Sequence, residues 1–246
     1  MEKNKTCLIL GATSGIAEAI AIEFAKNNFD LILTGRNSDE LNKIEQDFKI
    51  RYNANCSAHH LEITDLESHR TFLENLQILP DVIVFAIGYL GEQKSSEAHY
   101  DEARKVIDIN FTYPMNLLNH FANEFEKRKS GTIIGISSVA GDRGRKANYI
   151  YGSAKAALSA YLSGLRNRLS GSHVEVITIK PGFVRTKMTE HLETPGRFTT
   201  EPQEVAKDTW KGFAKKKDVI YSKKIYRYLL FVIKHIPEKI FKKLSI

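Results

Sequence analysis

Cysteine is scarce: the 246 residues contain two, Cys7 and Cys56. Two cannot make a disulfide framework, and no Cys/His cluster has the spacing of a zinc site. Cys7 sits inside an apolar run and reads as a small core residue. Long apolar runs are missing as well; none reaches the roughly 18 residues of a membrane-spanning helix. The stretch from Met1 to Leu10 has only a brief apolar segment that runs straight into a glycine motif, which is not the pattern of a signal peptide. A cytoplasmic protein is the expectation. No internal repeat, low-complexity stretch or linker divides the chain, which predicts a single domain.

What is present suits a globular protein with a buried core: 42% hydrophobic and 26% charged residues. The net charge of +7 is unevenly placed. From Val205 onward, twelve Lys or Arg face Asp208, Asp218 and Glu238, a net +9, so the remainder stands at −2. Basic character confined to the tail argues against a nucleic-acid partner and for a tail that meets something acidic.

Short β-rich runs at 6–10, 30–34, 57–63, 81–87, 131–137, 173–179 and 218–221 alternate with helical patterns. The helices fall after Gly15 and at 38–51, 66–76, 95–111, 114–128 and 151–170. This alternation predicts an α/β fold of right-handed βαβ units around a doubly wound parallel sheet.

Gly11-x-x-x-Gly15-x-Ala17 falls where the first strand gives way to a helix. Gly11 permits a tight turn, and Gly15 lets backbone amides approach a pyrophosphate at the helix N-terminus. Nucleotide binding is the functional reading, a structural glycine turn the plainer one. At the end of the second strand, an acid would hydrogen-bond a ribose hydroxyl, but the sequence reads Thr34-Gly35-Arg36. An arginine there can pair with a 2′-phosphate, which favours NADP over NAD; otherwise Arg36 is an exposed loop charge. Tyr151 and Lys155, at i and i+4, share one face of a helix. A cation beside a phenol is expected to lower its pKa and make it a usable acid or base. Alone, the pair equally suits a solvated helix face.

Taken in order, Gly11 to Ala17, Asn110, Ser138, Tyr151 with Lys155, and Pro181-Gly182 resemble the short-chain dehydrogenase/reductase family over nearly the whole chain. Tyr151 follows Ser138 by thirteen positions, as in the family's pattern. The resemblance implies a single-domain Rossmann fold and hydride transfer between NADP(H) and a ketone or secondary alcohol. It implies that Tyr151 exchanges a proton with the substrate oxygen and that Ser138 hydrogen-bonds that oxygen. Lys155 would lower the tyrosine pKa and hold the nicotinamide ribose, and Asn110 would position a water linking the lysine to solvent. Ser137 competes with Ser138, and Tyr149 with Tyr151, though Tyr149 has no lysine four residues on. The cofactor contacts so implied are Gly11, Thr13, Ser14, Gly15, Ile16, Arg36, Glu62, Ile63, Ala86, Gly88, Pro181, Gly182, Val184 and Thr186, with Tyr151 and Lys155.

Two departures from the family pattern stand out. Phe85-Ala86-Ile87-Gly88 replaces an Asn-Asn-Ala-Gly-like run, keeping the glycine but losing the asparagine's bracing of the sheet. Glu62, beside Ile63, takes the place of an aspartate near the adenine. The polar segment 187–200, carrying Pro195-Gly196, is expected to close over the substrate, or else to be an ordinary surface loop. A narrower resemblance, in Phe85 to Gly88, Ser137 to Gly141 and His235 to Leu244, is to the decaprenylphosphoryl 2-keto-ribose reductases. It implies a lipid-linked keto-sugar substrate.

Residues 222–246 mix apolar, aromatic and basic side chains and read as an amphipathic extension of a catalytic domain spanning 1–221. The extension can lie on a membrane with its lysines toward anionic lipid, which would make the protein peripheral at a membrane's inner face. It can equally cover a subunit contact or the substrate cleft, or stay disordered. The family resemblance also implies a homodimer or homotetramer paired through the helices at 114–128 and 151–170. Two other functional readings remain open: a nucleotide-binding regulatory protein without turnover, and a peripheral membrane protein whose main task is interaction.

Overall fold

The computed structural model describes residues 4–190 and 196–244. Its first strand, β1 (Thr6–Leu10), is buried at every position. Cys7 and Ile9 enter one core, Leu8 and Leu10 the other. That two-residue alternation, with both faces apolar, is what a central parallel strand requires. The chain then runs through α1 (Gly15–Lys26), β2 (Asp30–Gly35), α2 (Ser38–Tyr52), β3 (Cys56–His60), α3 (Leu66–Asn75) and β4 (Val82–Phe85). There follow α4 (Gln93–Ala98), α5 (Tyr100–Ile107), a π-helical turn at Asp108–Thr112 and α6 (Tyr113–Arg128). After these come β5 (Gly131–Ile136), a 3-10 turn at Val139–Asp142, α7 (Tyr149–Leu169) and β6 (Val174–Lys180). Last are two short strands, β7 (Phe183–Val184) and β8 (Thr199–Thr200), then α8 (Pro202–Ala214), β9 (Val219–Tyr221), α9 (Ile225–His235) and α10 (Glu238–Phe241).

Seven strands form one parallel sheet in the order β3-β2-β1-β4-β5-β6-β9. This is the expected doubly wound fold. One face carries α1, α2 and α8 over a core containing Phe24, Phe48, Val84 and Ile177. The other carries α3, α6 and α7 over Phe72, Phe85, Phe121 and Leu162. Phe85 is fully buried beside Leu10, so packing stands where the family's asparagine would brace the sheet. Strand order reverses at β1 and β4, and the loops at their C-terminal ends open a crevice there.

Three expectations need correction. The single helix predicted over 95–111 is broken: His99 adopts an extended backbone, and the π turn follows α5. The third strand stops at His60 rather than at residue 63, because the Glu62 amide bonds to Ser68 Oγ instead of a neighbouring strand. Helix α8 has no counterpart among the predicted elements. It begins on Pro202 with a reciprocal Glu201–Glu204 capping box and buries Val205, Ala206, Thr209 and Gly212.

The extension at 222–246 packs against the body along one side. Tyr226 and Leu230 of α9 are buried with Val139. Arg143, on the turn after Ser138, donates to the carbonyls of Ile233 (2.7 Å), Lys234 (3.1 Å) and Ile236 (2.7 Å), closing the C-terminus of α9. Its guanidinium also pairs with Glu238 and lies 3.7 Å from the centre of the Phe241 ring. No helix among the described residues is long and apolar enough to cross a membrane.

Candidate active site

The crevice is a cavity of about 610 Å³ lined from the C-terminal ends of β1, β2, β4, β5 and β6. At its floor the chain turns from β1 into α1. Gly11 has φ +89°, and a Cβ there would stand 2.7 Å from the Ile87 side chain, so the turn is built for glycine. Ser14 caps α1 by accepting from the Ala17 amide at 3.2 Å. The amides of Gly15 and Ile16, earlier in the first turn, have no helical acceptor and face an open N-terminus. Thr13, Ser14, Gly15 and Ile16 all line the cavity, a cradle suited to a pyrophosphate.

Arg36 reaches the cavity from just beyond β2, its side chain exposed. Asn37 caps the following helix α2 by accepting from the Glu40 amide at 3.1 Å. Glu40 lines the cavity too, so the cation there has a carboxylate one turn away. Glu62 and Ile63 form the neighbouring wall. The Glu62 carboxylate is engaged locally, accepting from the Thr64 amide (3.0 Å) and hydroxyl (2.9 Å). Ile63 is held from behind by buried His69, whose Nε2 lies 2.8 Å from the Ile63 carbonyl. Burial pushes the His69 pKa down, which keeps the ring neutral.

The reactive end is built by β5, its following turn and α7. Ser138 extends the chain past β5, and its Oγ accepts from the Ala140 amide at 3.0 Å and stands near enough to the Tyr151 hydroxyl to act on its pKa. Ser137 points elsewhere: its Oγ donates to the Lys155 carbonyl at 2.9 Å and lies 2.7 Å from Ser159 Oγ, a structural tie. Tyr149 is exposed, beside Glu97 and Gln93. Ser138 and Tyr151 meet at the cavity; Ser137 lines it too, but its hydroxyl is spent on Lys155 and Ser159, and Tyr149 does not line it.

Lys155 is 3% exposed, donates from Nζ to the Ile136 carbonyl at 3.1 Å, and lies 5.7 Å from the centre of the Tyr151 ring. Burial lowers its pKa to about 8. The lysine was expected to lower the Tyr151 pKa, but burial dominates. The phenol is pushed up to about 12, with Ser138 pulling the other way.

Asn110 does not line the cavity. It sits fully buried on the π turn, its Nδ2 donating to the carbonyls of Tyr89 (2.6 Å) and Val106 (2.8 Å) and its Oδ1 accepting from the Tyr89 amide at 3.3 Å. A Cβ on Gly88 would lie 3.2 Å from Asn110 Oδ1 and 3.5 Å from Lys155 Nζ, so both groups border the space that Gly88 leaves by having no side chain. Ala86 and Gly88 line the cavity, as do Pro181, Gly182, Val184 and Thr186 opposite them. Of the segment 187–200, Lys187, Met188 and Thr189 reach the wall, while 191–195, including Pro195, lie outside the described residues.

Sequence reasoning missed several wall residues, among them Leu61, Tyr89, Lys105 and Ile109. Lys105 and Ile109 stand at i and i+4, one residue before Asn110, a spacing that could have flagged them. Lys105 Nζ lies 4.5 Å from the centre of the Tyr89 ring, and the Tyr89 hydroxyl donates to Glu102 at 2.6 Å.

The family described as short chain dehydrogenase matches residues 5–196. A Mycobacterium tuberculosis protein described as an uncharacterized oxidoreductase is 30% identical over 242 residues, covering 96% of each chain. A Streptomyces coelicolor protein described in the same words is 28% identical over 245 residues, covering 98% of this chain and 96% of its own. Among solved structures, a short-chain dehydrogenase from Sphingobium yanoikuyae in complex with NADPH superposes with a TM-score of 0.83 at 21% identity, covering 95% of this chain and 97% of that one. A bulky-bulky ketone specific alcohol dehydrogenase from Comamonas testosteroni superposes with a TM-score of 0.80 at 19% identity and 95% coverage of each chain. A 3-oxoacyl-[acyl-carrier protein] reductase with bound NAD from Brucella melitensis gives a TM-score of 0.78 at 21% identity, covering 89% of this chain and 90% of that one.

Proposed function

The chain belongs to the short-chain dehydrogenase family, and we propose that within it this protein is an NADP(H)-dependent oxidoreductase interconverting a ketone and a secondary alcohol. The observation that carries the reading is the meeting of Ser138, Tyr151 and Lys155 on one wall of a cleft whose floor is a glycine turn and an open helix N-terminus.

The cradle at Gly11 to Ile16 fits a pyrophosphate, and Arg36 fits a 2′-phosphate where an NAD-selective site would place a carboxylate. Bound NADPH would supply a hydride to the carbonyl carbon. Tyr151, protonated throughout the neutral range by its high pKa, would donate its proton to the carbonyl oxygen. Ser138, beside that hydroxyl, would donate to the same oxygen as charge builds on it. Lys155 would steady the phenolate left behind and reach the nicotinamide ribose. Asn110, tied to Tyr89 and backing Gly88, would hold the floor between itself and the lysine, where a water could pass the proton onward.

The ketone-specific alcohol dehydrogenase and the 3-oxoacyl reductase that share this fold support a ketone as the reacting group. The sequence likeness to keto-ribose reductases, together with the apolar and basic extension beside the cleft, supports a lipid-linked keto-sugar or another hydrophobic carbonyl compound. Pairing through α6 and α7 would give a homodimer or homotetramer.

Titration of the purified protein with NADPH and NADH, beside Arg36→Asp, tests the cofactor assignment. Loss of one charge-assisted contact, about 1.5–3 kcal/mol, should weaken NADPH binding about 10- to 100-fold in the variant. A preference for NADH would overturn the assignment. Failure to bind either would sink the oxidoreductase reading. Intact binding with no NADPH oxidation across a broad carbonyl panel would favour a regulatory protein.

A further inference from the structure

Residues 222–246 carry seven Lys or Arg against Glu238, a net +6, whereas the rest of the chain stands at +1. Helix α9 spends its buried side on the body. A Cβ on Gly182 would meet the Tyr226 ring at 2.0 Å, the Tyr226 hydroxyl donates to the Phe198 carbonyl at 2.7 Å, and Leu230 packs with Val139. Its other side is apolar and uncovered. Ile225, Tyr228, Leu229 and Val232 are exposed and recur at i, i+3, i+4 and i+7, which places them in one stripe. Phe231 beside them is 65% exposed, and Ile240 and Leu244 continue the apolar surface past Pro237. Exposed Lys224, Arg227, Lys234, Lys239, Lys242 and Lys243 surround it.

We propose that this face docks on the surface of an anionic lipid bilayer. An α9 of eleven residues is about 16 Å long, against a hydrocarbon core of about 30 Å, so it lies in the interface rather than across it. Apolar and aromatic side chains enter the headgroup boundary while the cations meet lipid phosphates. Charge decides against a second copy of the chain as the occupant. A two-fold pairing would set +6 against +6, and the remainder, at +1, carries no net negative charge to offset it. The buried side of α9 touches Gly182, on the cleft wall, and Val139, next to Ser138. Docking therefore holds the cleft about one helix diameter, roughly 10 Å, from lipid. Presentation of a lipid-linked carbonyl compound to that cleft rests on the proposed function; the docking itself does not.

The test is co-sedimentation of the full chain, without cofactor or substrate, with vesicles of phosphatidylcholine alone and of phosphatidylcholine with phosphatidylglycerol. Binding to the anionic vesicles only, reversed by high salt, is expected. Phe231→Ser with Val232→Ser should weaken it at least tenfold, as should Lys239→Glu with Lys242→Glu and Lys243→Glu, with NADPH affinity unchanged in both variants. Absence of binding to either vesicle, or binding that ignores both lipid charge and these substitutions, would overturn the proposal. A wild-type oligomer that Phe231→Ser with Val232→Ser dissociates would overturn it too, by making the occupant a second copy. Because NADPH titration is read separately, failure here is distinguishable from failure of the oxidoreductase reading.

Discussion

Replacing Lys155 by methionine should make the protein more stable while removing its chemistry. The ammonium is almost wholly buried, and burial brings its pKa from the ordinary 10.5 down to about 8. In an unfolded chain the group titrates near its ordinary value, so between pH 8 and 10.5 the unfolded state binds more protons than the native one. Stability therefore rises with pH across that window. Below it the native state bears the full penalty of a buried charge, about 3 kcal/mol at 1.36 kcal/mol per pKa unit. Methionine is of similar length and uncharged, so it lifts the penalty. It also strips the Ile136 carbonyl of its 3.1 Å donor, a loss of about 1 kcal/mol. The net is a gain of about 2 kcal/mol at pH 7 that shrinks by up to about 1.4 kcal/mol per pH unit above pH 8. Urea unfolding of both proteins at pH 7, 8, 9 and 9.5 measures it, and groups that titrate alike in both cancel in the difference. A variant less stable than wild type at pH 7, or a difference that ignores pH, would refute the reasoning.

Three further substitutions probe the site and its support. Tyr151→Phe should lower turnover about 10²- to 10⁴-fold with NADPH affinity nearly unchanged, and surviving turnover would mean that the proton comes from elsewhere. Gly182→Ala drives a methyl group into the Tyr226 ring and should cost about 1–3 kcal/mol, seen as a fall in Tm of about 2–4 °C per kcal/mol. Arg143→Ala removes the donor that closes α9, so trypsin should cut at Lys234 and Lys239 faster while the body resists as before.

Much of the framework is legible in the residues because central parallel strands have so few options. Leu8 and Leu10 facing one core, with Cys7 and Ile9 facing the other, leave nothing but a strand covered on both sides. The glycine turn and the Tyr151 and Lys155 spacing are local, and they survive folding unchanged. What escaped depends on neighbours distant in sequence. Helix α8 buries Ala206, Thr209 and Gly212, side chains too small or polar to write an apolar stripe, although Pro202 and the Glu201–Glu204 box marked its start. The break at His99 has no glycine or proline to announce it. The π turn depends on Asn110 bonding across to Tyr89, which no periodicity encodes. The Tyr151 pKa followed burial rather than its nearest cation, and burial belongs to the assembled cleft.

The Arg143 clasp joins two stretches more often treated as independent parts. Loops between a catalytic serine and tyrosine are natural pieces to transplant between relatives, and so are C-terminal extensions. Here the guanidinium on the loop and the carbonyls it satisfies on α9 stand ninety or more positions apart. A graft of the loop alone would leave Ile233 and Ile236 without their donor, and loss of the extension alone would take away every partner of a guanidinium now only 14% exposed and open it to water. The two must be exchanged as one cassette, and a lineage that reshapes the loop has to rewrite its last helix in step.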